Sequence, residues 1–91
     1  MDRDWEEVVG AMHSLLLSLP RVRGTRWAGR EVVKVSAGVI RRRLARRYIR
    51  LTPAMVGMGV KILESKGLVR VLEKRASGYG VVYVFELLGV G

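Results

Sequence analysis

Cysteine is absent from this chain, so neither a disulfide nor a thiolate metal site can form. A single histidine, His13, excludes any multi-histidine metal centre. Asparagine and glutamine are absent as well. Their side chains pair bidentately with adenine, so that route of base reading is closed. The missing amides, with thirteen arginines against four lysines, fit a thermophilic, archaeal-type source. A GC-rich genome explains the same pattern equally well. No long apolar run is present: Leu15-Leu16-Leu17 is far too short to span a bilayer. The acidic N-terminal stretch does not read as a secretion signal, and the expected location is the cytoplasm.

What is present is positive charge. The chain has 91 residues, a net charge of +9 and a pI of about 11.1. That length fits one domain over 1–91, and 49% hydrophobic residues supply a core without staples. The charge implies a polyanionic partner and leaves the fold open. Residues 1–19 carry one base and four acids, residues 20–50 eleven bases and one acid, and residues 51–91 five bases and three acids. The excess therefore lies in the middle third. The acids at positions 2–7 read as a helix cap. No nucleophile pairs with a histidine, and Gly78-Tyr79-Gly80 reads as a hairpin turn rather than a phosphate loop. Neither an enzyme nor a cofactor site is expected.

Local signals place the elements. Asp4 caps a first helix over about 4–19, with Glu7 three residues on. Trp5, Val8, Val9, Met12, Leu15, Leu16 and Leu19 recur at helical spacing, and Pro20 stops the run. His13 lies beside this stripe as a boundary residue. Residues 20–35 form a basic connector with glycine turns, ending in a short strand at Val32, Val33 and Val35. Trp27, beside Arg26 and Arg30, is suited to stacking on an exposed base, but the preferred expectation is that it closes the core against helix 1. Ser36 caps a second helix over about 37–48, where Ala37, Ile40, Leu44 and Tyr48 share the core face. On its other side Arg42/Arg46 and Arg43/Arg47 are like-charged pairs four residues apart, an arrangement that an adjacent anion relieves. Thr52-Pro53 starts a third helix, about 53–66, with Val56, Val60 and Leu63 inward and Gly67 as terminator. Residues 68–88 alternate as a hairpin. Gly59 reads as a core contact, whereas Gly57 fits a core position and a close approach by a partner equally.

The order helix, strand, helix, turn, helix, hairpin, with Thr52-Pro53, Leu63-Glu64 and Gly67-Leu68-Val69 at the third helix, resembles the winged helix-turn-helix superfamily of small prokaryotic and archaeal regulators. The resemblance covers about residues 32–87. It implies an α+β fold of three helices plus a C-terminal β-hairpin wing, and a DNA-binding, transcription-regulating or nucleoid-associated role. It also implies that helix 3 meets the major groove, helix 2 the backbone and the wing an adjacent groove. The nucleic-acid-binding residues expected on that basis are Arg42, Arg43, Arg46, Arg47 and Arg50 from helix 2 and its exit, and Thr52, Ala54, Met55, Gly57, Met58 and Lys61 from helix 3. Lys74, Arg75 and Tyr79 complete the set from the wing. Helix 3 departs from the pattern in offering one long donor, Lys61, and two glycines. The arginines are instead suited to forked phosphate contacts that position without reading sequence. About six such contacts give a log–log salt slope near −5.

Two other readings fit the same residues. Leu51-Thr52-Pro53 and Gly67-Leu68-Val69 are also similar to a small-subunit ribosomal protein family, which implies an RNA partner. Met55 and Met58 suit a protein-binding winged helix of the transcription machinery. A homodimer through helix 1 is a further expectation, with Trp5, Val8 and Met12 as its residues if they lie outside the core.

Overall fold

The computed structural model describes residues 4–78 and 80–89. Helix α1 (Trp5–Ser18) leads into strand β1 (Val22–Arg23), a single 3-10 turn (Thr25–Trp27) and strand β2 (Glu31–Ser36). Helices α2 (Ala37–Ala45) and α3 (Pro53–Ser65) follow, then strands β3 (Val69–Ser77) and β4 (Gly80–Leu87). The protein is α+β, with three helices and a four-stranded antiparallel sheet ordered β1-β2-β4-β3 among the described residues.

Each helix starts where a side chain satisfies an otherwise orphaned amide. Asp4 Oδ1 accepts from the Glu6 amide at 2.9 Å, Ser36 Oγ from Val39 at 3.1 Å, and Thr52 Oγ1 from Met55 at 3.2 Å. Each cap stabilises its helix by about 1 kcal/mol. At the far ends, α2 and α3 close with the same pair of backbone bonds. Ile49 N donates to Leu44 O and Tyr48 N to Ala45 O, while Leu68 N donates to Leu63 O and Gly67 N to Glu64 O. Such a closure places its penultimate residue in the left-handed region, where glycine is preferred. Gly67 takes that place after α3 with φ +72°, but Tyr48 takes it after α2 with φ +62°. A bulky side chain there costs about 1 kcal/mol.

This closure corrects the expected extent of helix 2. The helix ends at Ala45 rather than residue 48, and Tyr48 leaves the core face for solvent, 89% exposed. Ile49 and Leu51 are buried in its stead.

The core lies between the helices and one face of the sheet. Val8, Met12 and Leu16 from α1, Ile40 and Leu44 from α2, Val56 and Leu63 from α3, and Val33 and Phe85 from the sheet are all buried in it. Trp5 packs against this core and Val8 and Met12 are inside it, so the dimer interface expected on those three residues is not presented. Trp27 is corrected too. It lies half-buried on the connector, outside the core cluster, with the Arg26 guanidinium 4.9 Å over its ring.

The two helix-3 glycines separate cleanly. Gly59 is buried, and a Cβ there would land on the Met12 sulfur, whereas a Cβ on Gly57 meets nothing. Gly57→Ala is therefore expected to raise stability by about 0.5–1 kcal/mol through helix propensity. Gly59→Val is expected to lower it by about 2–3 kcal/mol through overpacking. Thermal denaturation of both variants checks this contrast; equal melting temperatures would mean that α1 and α3 do not meet at Gly59.

The hairpin is not a free-standing wing. Its second strand β4 is central, paired with β2 from Val33↔Phe85 to Ser36↔Val82 and with β3 along its whole length. Only the end nearest Ser77 and Gly80 extends past β2. Strand β1, with the 3-10 turn behind it, was not foreseen in the connector.

Candidate nucleic-acid interface

A register shift between Val71 and Glu73 sorts the hairpin's charges. Val71 stands opposite Phe85, but Glu73 stands opposite Val84, so Leu72 is an extra residue in β3. Strict alternation would put Glu73 on the face of Val71, towards α3. The bulge puts Lys74 there instead, opposite Tyr83, and sends Glu73 to the far face.

On that far face Glu73 binds Arg26 at 2.7 Å and Arg75 at 3.7 Å. Glu86 lies between Arg30 at 3.7 Å and Arg70 at 3.4 Å, the latter an ion-pair distance without hydrogen-bond alignment. Arg23 pairs with Glu31 at 3.5 Å. The connector is thus tied across the back of the sheet, where Val32 and Val84 are buried. The arginines of the connector are held by carboxylates or, for Arg21, by the carbonyls of Leu17 and Leu19 at the end of α1.

The arginines of α2 and of the turn after it differ. Among the described residues, Arg42, Arg43, Arg46, Arg47 and Arg50 have no carboxylate partner, and all are exposed. They do not form one platform. Arg42 and Arg50, with Gly38, Arg41, Ala45 and Leu51, line a cleft of about 350 Å³. Arg43, Arg46 and Arg47 line another of about 230 Å³ with Leu15 and Ser18, against the last turn of α1. The negative end of that helix dipole favours cations at this place.

The first cleft continues across the molecule. It shares Gly38 and Arg41 with a cleft that also touches Pro53, Gly80, Val81 and Tyr83. Tyr83 in turn borders a groove of about 320 Å³ between α3 and the hairpin, whose lining includes Ala54, Gly57, Met58, Lys61, Lys74 and one acid, Glu64. One track therefore joins Arg42 and Arg50 to Lys61 and Lys74 over the start of α3. Arg41, not singled out in the sequence, belongs to it and is steadied by donating from Nε to Leu51 O at 2.9 Å. Its signal was faint because Arg41 is one more arginine in a run of three. Burial pushes the Tyr83 phenol above its ordinary value of 10.0. The phenol thus favours the fold fully below pH about 10, and that contribution is lost as pH rises through the raised value.

The remaining expected residues fall as follows. Thr52 is engaged as a cap, Met55 is half-buried against the core, and Met58 is exposed. Arg75 is on the far face beside Glu73, away from the track. Tyr79 lies outside the described residues. His13 Nε2 is buried without a hydrogen-bond partner among the described residues. No group of three His, Cys, Asp or Glu side chains gathers among them, and no described helix is long and apolar enough to cross a membrane.

No known family matches this chain. Comparison with characterised proteins and with solved structures likewise finds no match. The functional reading therefore rests on the molecule's own charges and shape.

Proposed function

We propose that this protein is a winged helix-turn-helix module that binds duplex DNA through its phosphates, as a regulator or nucleoid-associated factor. The observation that carries the reading is the division of charge. The connector's arginines are occupied within the fold, while Arg42, Arg50, Lys61 and Lys74 make no ion pair among the described residues, and Glu64 is the one carboxylate among the described residues lining their clefts. Unneutralised cations in a row are costly to the fold and match a polyanion's backbone. The element order α1, β2, α2, α3, β3, β4 supports the superfamily assignment, with β1 and the 3-10 turn as an addition ahead of β2.

Base reading has little to work with. The exposed face of α3 offers Ala54, Gly57, Met58 and Lys61, and amides are absent from the chain. Binding therefore discriminates weakly among duplex sequences.

A salt series of duplex binding tests this. Four to five phosphates held by Arg41, Arg42, Arg50, Lys61 and Lys74 give a slope of log K on log salt of about −4. This is shallower than the −5 expected from the sequence, because Arg43, Arg46 and Arg47 face the α1 side. A slope near zero, or no binding at low salt, would remove DNA as the ligand and favour a protein partner at Met58.

A further inference from the structure

Tyr48 is the most exposed large hydrophobic side chain among the described residues, at 89%. It occupies a backbone position, φ +62°, that disfavours any side chain. The equivalent closure of α3 uses Gly67, so the local geometry needs no aromatic. The ring fills no core space, and among the described residues no partner ring stacks on it. Nothing in the fold therefore accounts for a tyrosine at this position. Its surroundings, by contrast, are specific: Arg46 and Arg47 precede it, Arg50 follows, and none of the three has a carboxylate partner among the described residues.

We propose that Tyr48 is a stacking platform for an unpaired nucleobase, with the adjacent phosphates held by Arg46 and Arg47. An exposed π-face beside unneutralised cations is the combination that holds single-stranded nucleic acid, the ring taking the base and the cations the backbone. Any base presents a π-face, so the contact is tolerant of sequence. The ligand of the intact protein is then a duplex with an adjoining single-stranded segment. The duplex lies along the Arg42–Lys74 track, and the unpaired strand passes the turn between α2 and α3. The inference rests on the nucleic-acid reading above and adds the single strand to it.

The strained backbone makes a clean test available. Tyr48→Gly removes the ring and relieves the left-handed strain at once, so its Tm is expected at or above the wild-type value. Its affinity for oligothymidylate of about 12 nucleotides is expected to fall about 10-fold. Tyr48→Phe keeps the stacking face and is expected to bind as the wild type does. Affinity of all three for a blunt duplex is expected to agree within about twofold, since the track's phosphate contacts are untouched.

Unchanged oligothymidylate binding by Tyr48→Gly overturns the inference and leaves duplex binding standing. So does a loss in Tyr48→Phe as large as that in Tyr48→Gly, or an equal loss for duplex and single strand. Wild-type protein that binds neither oligonucleotide overturns this inference and the nucleic-acid reading together.

Discussion

Alanine in place of Arg42, Arg50, Lys61 and Lys74 together is expected to lower duplex affinity by about three orders of magnitude at 0.1 M salt. Each phosphate contact contributes about 0.9 to the log–log slope, so the four losses also flatten the salt dependence by about 3.6. The matched variant Arg43/Arg46/Arg47→Ala removes nearly as much charge from the α1 side of α2. Screening at this salt has a length of about 10 Å. Charges off the track then act only weakly on a bound duplex, and less than a tenfold loss is expected. Fluorescence polarisation with one labelled duplex across a salt series measures both variants. Equal losses would mean that total charge, and not the track, governs binding. A larger loss from the α1-side set would place the duplex on the opposite flank. The substituted residues are exposed, so the fold is expected to survive in both variants.

Phe85→Ala is expected to be the most damaging single change to stability. Phe85 is fully buried in β4, paired to Val33 on one side and Val71 on the other. Its ring stacks on Tyr83 with centroids 5.3 Å apart and planes 15° from parallel. Truncating a buried phenylalanine costs about 3–5 kcal/mol in lost transfer energy and residual cavity. Domains of this size are stable by about 5–15 kcal/mol, so a substantial share of the margin goes. A drop in Tm of about 20 °C or more is the expected calorimetric result. A shift under about 5 °C would show that β4 is not the strand on which the core is built. The same residue bears on function, because Tyr83 beside it floors the groove that carries Lys74. Weakened duplex binding is therefore expected in the folded fraction as well.

Much of the architecture was legible because it is local. Asp4, Ser36 and Thr52-Pro53 each mark a helix start by satisfying an amide two or three residues away, and Gly67 marks an end by its left-handed backbone. Such interactions are written within a few consecutive residues. The apolar stripes of α1 and α3 and the alternation of β4 are equally short-range, and so the core residues Met12, Leu16, Val56 and Leu63 were recognisable. The end of α2 was not. Its arginines and Tyr48 continue a helical pattern, and only the burial of Ile49 and Leu51 in the assembled core explains why the chain turns at residue 46.

The concentration of cations in the middle of the chain was fixed by sequence alone, and with it the expectation of a polyanionic partner. Which of those cations remain free was decided by tertiary structure. Arg26 and Glu73 are 47 positions apart and meet only because the connector folds over the back of the sheet. The bulge at Leu72 depends on β3 pairing with β4, and it alone turns Lys74 rather than Glu73 towards α3. Charge composition is a property of the chain, whereas neutralisation is a property of distance. For that reason the sequence indicated a partner's charge, and the fold determined which face can meet it.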